Sequence, residues 1–370
     1  MVVASRKTGF DDALSGLALA RGWHCALVRG GIDFLIGAIL LYGYVYTAYK
    51  YGNPLLGRND FFRYQEVVLH PLSLLAAPAP FVLRQIPAIV ASAIYQSGFH
   101  FDTTAVVDSI AFDEGEKRRF LAMILSNGLA VCLSFTVLAG YLRSKLATDS
   151  VINSLALFGI FAGWFYFPSA VIAPVTIGWG WLASSLFAVA FVEGNAAITA
   201  MACALALFSR ETTLIFALAM FMAVRLGGDR RRGIVISVAL LVGACLLFLM
   251  LRVGFTTGYE HQIDPGLIVA RLVSPNFPEH FFVQLLLGQG LLILLVLGIA
   301  LRRPRYACYL LAAAAIMAIV ALATDVTDVG LLVGESLPFY AVIFILAWSG
   351  HLPRRASAKL ATPGAGEALG

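Results

Sequence analysis

Apolar runs long enough to cross a lipid bilayer recur along almost the whole chain. A spanning helix needs about 20 consecutive, mainly apolar residues. Hydrophobic residues make up 60% of the 370 residues and charged residues only 13%, against roughly 25% charged residues in soluble domains. The sequence therefore predicts an all-α, polytopic bundle of transmembrane helices. Because basic residues cluster between the apolar runs, the net charge of +5 indicates membrane orientation rather than nucleic-acid binding.

The order of apolar runs and basic clusters predicts about ten spans. We expect them at 33–50, 120–142, 150–170, 179–193, 195–209, 212–226, 233–252, 282–301, 306–323 and 332–349. This path puts the basic clusters at 143–145, 225–232, 302–305 and 354–359 on the cytoplasmic side. We expect one transmembrane domain over 1–355 and a disordered cytoplasmic tail over 356–370.

Residues 51–117 do not follow the spanning pattern. Prolines interrupt the segment at Pro71, Pro78, Pro80 and Pro87, and charged residues lie among its apolar ones. A backbone so broken would leave unsatisfied polar groups in lipid, so we expect an outer loop with short interfacial helices. The alternative, a true span at 81–98, would move the basic run at 117–119 inside but would invert every later basic cluster.

The chain has no familiar soluble-enzyme motif. Its five cysteines have no metal-ligand spacing, which indicates neither a disulfide framework nor a zinc site. The sequence shows no nucleotide-binding fingerprint, and we expect no cleaved signal peptide. Charges at membrane depth cost on the order of 2.5–3.5 kcal/mol each, so those that are kept usually face a cavity or a partner. Such charges are the candidates for function.

The first candidate cluster is the stretch GRNDFFRYQE. In a helix, Asp60 and Tyr64 share a face at i, i+4 spacing. A carboxylate here, Asp60 or Glu66, could remove a proton from an acceptor hydroxyl as a catalytic base, with Tyr64 binding substrate. The alternative is that Asn59 or Asp60 is the N-cap of an interfacial helix.

The second cluster is APAPFVLRQIP, where Arg84 stands between prolines. A guanidinium can hold phosphate oxygens in bidentate fashion, which suits a phosphorylated substrate. The alternatives are that Arg84 extends to lipid headgroups or pairs with Asp60 or Glu66.

The third cluster is the stretch ALFSRETTLIF, which puts two adjacent charges into an apolar region. At an outward turn, Arg210 could bind an anionic, lipid-linked donor while Glu211 orients Arg84 or Arg210. A helix that begins at Thr212 would present N–H groups as a further anion site. The alternative is a structural ion pair between helical hairpins.

Two further charged or titratable residues are weaker candidates. His261 could bind substrate, although a lone loop histidine is more often a bystander, and Glu335 lies in the stretch GESLPFY. Trp179 and Trp181 indicate an interfacial belt more strongly than a sugar platform.

The order of these motifs resembles that of the bacterial integral-membrane glycosyltransferases of the GT-C superfold, which use polyprenyl-phosphate-linked sugars on the outer face of the membrane. Asp-x-x-x-Tyr (Asp60 and Tyr64) follows the first span, a Pro-Phe-x-x-Arg segment ends at Arg84, and an Arg-Glu-Thr turn begins at Arg210. The resemblance covers residues 33 to 226, with compatible hydropathy to 350.

The resemblance implies a location in the bacterial inner membrane, with Asp60 as the catalytic carboxylate and with Arg84 and Arg210 near the donor phosphate. It implies transfer of a sugar to a glycan, lipid or protein acceptor by a single displacement that inverts the anomeric centre. Many family members carry a second acid, but here Asn59 precedes Asp60 and the stretch APVTIGWGWL has no acid. This departure leaves open both activity and a requirement for Mg²⁺ or Mn²⁺; no cofactor is otherwise implied.

Two other classes compete with this interpretation. A transporter or flippase for a lipid-linked sugar would need a polar path through the bilayer, whereas the expected charges lie mainly on one face. Asp33 and Glu193 are exceptions, near the expected inner ends of their helices. A non-catalytic subunit of a polysaccharide assembly complex is the other alternative, since such a subunit does not need the second acid.

Overall fold

A computed structural model describes residues 8–51, 58–73, 83–99, 113–164, 167, 176–229, 231–254, 289–324 and 334–352. In these ranges the regular elements are twelve α-helices, which confirms the predicted all-α class. They are α1 (Thr8–Tyr51), α2 (Arg58–Leu69), α3 (Gln85–Gln96), α4 (Glu114–Leu146), α5 (Ser150–Ala162), α6 (Ile177–Glu193), α7 (Ala196–Leu207), α8 (Thr212–Leu226), α9 (Arg232–Gly254), α10 (Gln289–Arg302), α11 (Pro304–Thr324) and α12 (Leu337–Trp348).

Three of the described helical stretches are long and apolar enough to cross a membrane. They are Cys25–Thr47 within α1, the whole of α4 and the whole of α9, with 23, 33 and 23 residues. Seven further apolar stretches, on α5 to α8 and α10 to α12, have 10–17 residues. These lengths and compositions suggest a multi-pass membrane protein.

α5 ends at Ala162, with Gly163 in a turn, rather than at the predicted 170. Two predicted helix starts also differ from the structure, because no breaker stands where the apolar run begins. α1 starts at Thr8 rather than at 33, since nothing between those positions interrupts the helix. α4 starts at Glu114 rather than at 120 because Asp113 and Glu116 form a capping box: the Asp113 carboxylate accepts the Glu116 N–H at 2.6 Å, and the Glu116 carboxylate accepts the Asp113 N–H at 3.1 Å.

α4 is the central helix of the bundle. Its most apolar window is 72% buried, against 17% for α1 and 22% for α9, whose exposed residues are mostly apolar. α4 runs parallel to α6: Asn127 Oδ1 accepts the Gly178 N–H at 2.6 Å near the start of α6, and Lys145 Nζ lies 2.9 Å from Glu193 Oε1 at its end. α5 connects the two in the chain, runs in the opposite direction and packs on α1 and α4.

The basic clusters gather at one end of the bundle, which we call the basic end. Lys145 meets Glu193 there, and the Arg231 guanidinium donates to the Val192 carbonyl at 3.2 Å. The ring of Tyr306, at the start of α11, contacts that of Phe191. The clusters at 143–145, 225–232 and 302–305 thus share an end, as their predicted common side of the membrane requires; 354–359 lies outside the described residues.

The opposite end carries α2, α3 and the turn between α7 and α8, and we call it the site end. α3 packs along the first part of α4: the Ser126 hydroxyl donates to the Pro87 carbonyl at 3.1 Å, and the Arg118 guanidinium lies 5.4 Å from the Tyr95 ring centre. A span at 81–98 would instead run along α4 towards the basic end. The packing shows a short helix at the site end, and its location on the outer face stays a prediction.

Candidate functional site

Arg84 and Glu211 form a buried, two-pronged ion pair at the site end. Arg84 Nε donates to Glu211 Oε2 at 3.0 Å and Nη2 donates to Oε1 at 2.7 Å. On its other side, Arg84 Nη1 donates to the Tyr64 hydroxyl at 2.5 Å. The planar guanidinium is therefore fixed by two partners that come from different parts of the chain.

A second ion pair lies beside the first and joins Arg210 to Glu335. Arg210 Nε donates to Glu335 Oε1 at 2.6 Å, and Nη2 lies 2.6 Å from the same oxygen. The Thr212 hydroxyl donates to Glu335 Oε2. Arg210 Nη1 extends towards the Thr176 hydroxyl, a longer contact of 3.4 Å.

The local backbone explains why two adjacent charges take different partners. Arg210 and Glu211 stand in the turn between α7 and α8, where neighbouring side chains diverge, so they cannot pair face to face as i, i+4 residues can. The turn is fastened to α3, since the Ile86 N–H donates to the Phe208 carbonyl at 3.0 Å. Glu211 was expected to orient either Arg84 or Arg210, and in the structure its carboxylate pairs with Arg84.

Gly180 provides the space for Arg210 on α6. A Cβ atom at this position would lie 3.0 Å from Arg210 Cγ and 3.3 Å from Arg210 Cβ. Only a residue without a side chain leaves the aliphatic part of Arg210 at its observed position.

Opposing effects set the charge of the Glu211 carboxyl. Burial alone raises its pKa, but the charge and hydrogen bonds of Arg84, aided by the charge of Arg210, outweigh burial and hold the pKa below its usual range. Glu211 is therefore ionised. The four charged groups of the two pairs balance, as burial of ions requires.

An apolar cleft between α2, α3 and α4 opens beside this network. The residues that line it are Tyr64, Val68, Pro87, Ala88, Ala91, Met123, Ser126 and Thr176. Tyr64 and Thr176 each contact one of the two site arginines. The cleft thus combines an apolar wall with guanidinium groups at its margin, and its free space is about that of one water molecule.

The structure brings together part of the predicted site. Tyr64, Arg84, Arg210 and Glu211 converge. Asp60 belongs to α2, one helical turn before Tyr64, but its side chain lies outside the described residues.

The other predicted site residues do not join this network in the described structure. Glu66 is exposed on α2, two positions beyond the buried Tyr64 and so towards the opposite face of the helix. His261 lies outside the described residues. The N–H groups of Thr213 and Leu214, expected to face an anion, donate to the Arg210 and Glu211 carbonyls at 3.2 and 3.0 Å.

The sequence interpretation underrated Glu335 and overlooked Thr176 and Gly180. Glu335 could have been recognised as a carboxylate directly before an apolar run, at the same predicted face as Arg210. Among the described residues, no group of three or more His, Cys, Asp or Glu side chains is placed to hold a metal ion. A requirement for Mg²⁺ or Mn²⁺ remains untested.

These observations describe an all-helical protein with candidate membrane spans and a buried network of arginine and glutamate at one end. Its three long apolar helices suggest a multi-pass membrane protein. Comparison of the chain with family models, curated proteins and solved structures gave no significant match.

Proposed function

We propose that the chain is a GT-C-type membrane glycosyltransferase of the bacterial inner membrane. It would transfer a sugar from a polyprenyl-phosphate-linked donor to an envelope glycan, lipid or protein acceptor on the outer face. The observation that carries the proposal is the buried network of Tyr64, Arg84, Arg210, Glu211 and Glu335, which lies beside an apolar cleft at the end opposite the basic clusters. The positive-inside tendency would orient this end outward.

The proposed topology takes every helix except α2 and α3 as a span, in line with the expectation of about ten. In support, the helices of the chain alternate in direction, as successive passes through a membrane require. α7 and α9 run in the same direction, since the hydroxyls of Thr199 and Ser237 are 2.7 Å apart near the starts of both helices. A short helix such as α12, most of whose residues are buried, would be shielded from lipid by its neighbours.

The two arginines would have different roles in the reaction. Both forked edges of Arg84 are occupied by Glu211 and Tyr64, so Arg84 would position the turn rather than grip phosphate. Arg210, whose Nη1 has only a long contact to Thr176, is better placed to donate to a phosphate oxygen. Its hydrogen bond would strengthen as charge develops on the leaving group.

The proposed reaction is a single displacement. The acceptor oxygen would form a bond to the anomeric carbon while the bond from that carbon to the donor phosphate oxygen breaks. Asp60 would take the acceptor proton, and polyprenyl phosphate would leave with the electron pair. Asp60 shares a face of α2 with Tyr64, which places its backbone close to the network.

The test is sugar transfer by the purified full chain in detergent, with a panel of radiolabelled polyprenyl-phosphate hexoses and pentoses. We expect labelled product from wild type, and its loss in Asp60→Asn. The matched control is Asp149→Asn, because Asp149 is exposed and makes no side-chain capping bond. Product unchanged in Asp60→Asn would exclude Asp60 as the base, and no transfer from any donor would contradict the enzyme itself.

The transporter alternative finds less support in the distribution of charge. The buried charged residues in the described ranges are Asp33, Arg84, Glu211 and Glu335. Asp33 pairs with Arg143 at the basic end at 2.6 Å, and the other three belong to the site end. The described part of the bundle therefore has no buried charge midway, where a polar translocation path would need one.

A further inference from the structure

Three arginines lie within four positions where α10 meets α11 at the basic end: Arg302, Arg303 and Arg305. Other basic residues of this end pair with a carboxylate, as Arg143 does with Asp33. In the described part of the chain none of the three arginines has such a partner, and the sequences of α10, α11 and α12 contain no Asp or Glu. Their positive charge is therefore available to an anion from outside the bundle.

The register of α10 against α12 brings the first of these arginines onto an aromatic ring. The two helices touch at Gly298, where a Cβ atom would lie 2.6 Å from Phe344 Cε2. One turn further along each helix, the guanidinium carbon of Arg302 lies 4.6 Å from the ring centre of Trp348. A cation over an aromatic face is attracted by the ring electrons. Trp348 thus holds the Arg302 guanidinium at the last turn of α10.

This contact lies at the edge of an exposed apolar face. Leu294, Leu297 and Leu301 follow one another at helical spacing on α10, and all three are exposed. Trp348 is 47% exposed, although most of α12 is buried. Tryptophan is enriched where the apolar core of a bilayer meets its headgroups. The face therefore offers a surface for acyl chains that ends in a cationic rim.

The rim has hydrogen-bond donors that an anion could use. The Trp348 ring supplies no acceptor oxygen, so the N–H groups of Arg302 remain able to bind phosphate. The Nε of Arg303 is buried and has no hydrogen-bond partner among the described residues. Arg305 is exposed in the first turn of α11, where the helix dipole disfavours a cation. A phosphate group beside this turn would offset these unfavourable terms.

We propose that Arg302, Arg305 and Trp348 form a site for one anionic phospholipid. Its phosphate lies at the two guanidinium groups, and its acyl chains lie along the exposed leucines of α10. Charge complementarity identifies the occupant, because a zwitterionic headgroup brings a cation of its own to the arginines. Basic sites between helices on the cytoplasmic side of membrane proteins bind anionic headgroups by this chemistry. The site is independent of sugar transfer, because it lies at the end of the bundle opposite the Arg84 network.

The experiment counts lipids bound to the purified full chain by native mass spectrometry. The protein in detergent is titrated with phosphatidylglycerol or with phosphatidylcholine of the same acyl chains. We expect wild type to bind one phosphatidylglycerol about tenfold more tightly than phosphatidylcholine, because charge-assisted hydrogen bonds form with the anionic lipid. Arg302→Gln should weaken phosphatidylglycerol binding by about tenfold and leave phosphatidylcholine binding unchanged. Trp348→Leu should weaken phosphatidylglycerol binding by about threefold, since it removes the cation–π contact.

Two further variants serve as controls. Arg232→Gln removes an exposed arginine from the same end, on α9, and should leave phosphatidylglycerol binding within about twofold of wild type. Arg302→Lys keeps the charge without the planar group and should bind with intermediate affinity. Thermal denaturation shows whether each variant folds. If Arg302→Gln does not fold, Arg302→Lys and Trp348→Leu decide, and wild-type affinity in both would contradict the site.

Three results would exclude a specific lipid site. They are equal affinity of wild type for the two lipids, unchanged binding in Arg302→Gln, and an equal loss in Arg302→Gln and Arg232→Gln. The last of these would indicate a general attraction between the basic end and anionic surfaces. Displacement of phosphatidylglycerol by inorganic phosphate at equal concentration would identify a site for free phosphate and exclude the lipid. Sugar transfer is measured separately, so its absence would contradict the proposed function and leave the lipid site standing.

Discussion

At the scale of single residues, the pair of Arg84 and Glu211 differs from the charge pairs at the basic end in its burial. Both side chains are nearly inaccessible, whereas those of Lys145 and Glu193 are 38% and 33% exposed. Removing one member of a buried pair leaves an uncompensated charge and costs roughly 3–5 kcal/mol, while exposed pairs contribute about 0–1 kcal/mol.

We therefore expect Arg84→Ala and Glu211→Ala each to lower the free energy of unfolding by several kcal/mol. The double variant should lose less than the sum of the two. Lys145→Ala should change the unfolding free energy by no more than about 1 kcal/mol. Denaturation in detergent measures all four variants. Additive losses at Arg84 and Glu211 would show that the pair is not coupled.

The lowered pKa of Glu211 gives the stability of the protein a defined dependence on pH. Because the folded-state pKa lies below the ordinary value of 4.5, the contribution of Glu211 is fully present above that value. It is lost as the pH falls through the folded-state pKa. We expect the melting temperature of wild type to decrease when the pH is lowered below about 4.5. The decrease should be smaller in Glu211→Gln, because a glutamine side chain at this position does not titrate. Parallel curves for the two proteins would contradict this assignment.

Gly180 leaves space for the Arg210 side chain, and this steric role can be tested by substitution. Gly180→Ala should displace the Arg210 side chain, because its Cβ would lie 3.0 Å from Arg210 Cγ. We expect slower sugar transfer from the polyprenyl-phosphate donor with a nearly unchanged melting temperature, since a flexible side chain can shift. Gly159→Ala is the matched control, because a Cβ there meets nothing within 4 Å. Equal transfer by both variants would remove Gly180 from the proposed site.

At the scale of elements, the contact between α4 and α6 has no spare room near the site. A Cβ on Gly178 would lie 2.4 Å from the backbone oxygen of Asn127. Backbone cannot yield as a side chain can, so the two helices would have to move apart.

Gly178→Ala is therefore expected to destabilise the protein by about 1–3 kcal/mol. Gly243→Ala, on a part of α9 where a Cβ meets nothing within 4 Å, should be neutral or stabilising by up to about 1 kcal/mol. Unfolding in detergent compares the two. Equal stability would indicate that α4 and α6 separate at little cost.

Element boundaries were predictable from sequence where the chain carries a stop signal. The expected helices at 179–193 and 212–226 match α6 and α8 closely, since Gly194 adopts a left-handed conformation after α6 and charges interrupt the chain at 210–211. The start of α1 was not predictable from an apolar window, because a helix continues through polar residues when nothing breaks it.

At the scale of the whole molecule, the sequence indicates which end holds the site but not how its charges pair. Basic clusters and apolar runs are local patterns, and the structure brings the described clusters to one end. The partners of Arg210 and Glu211 are separated from them by 125 and 127 residues. Their choice depends on which helices pack together, and no local spacing encodes that packing.

The proposed orientation predicts which end reagents can reach from outside the cell. In a cysteine-free background, Gln96→Cys at the site end should react with a membrane-impermeant maleimide on intact cells. Ser144→Cys at the basic end should react only after permeabilisation. Both residues are exposed. The reverse pattern would invert the topology, and labelling of both on intact cells would argue against a membrane barrier between the two ends.

The link between Arg210 and Glu335 also has a consequence for biogenesis. During synthesis the ribosome makes Arg84 and Glu211 well before Glu335. The ion pair between Arg84 and Glu211 can therefore form before the carboxylate partner of Arg210 has been synthesised. The network is complete only when the segment before α12 reaches the bundle. Assembly of the site end would then be among the last events of maturation, and chains arrested before that segment would carry an Arg210 guanidinium without its carboxylate partner, which quality-control proteases could recognise.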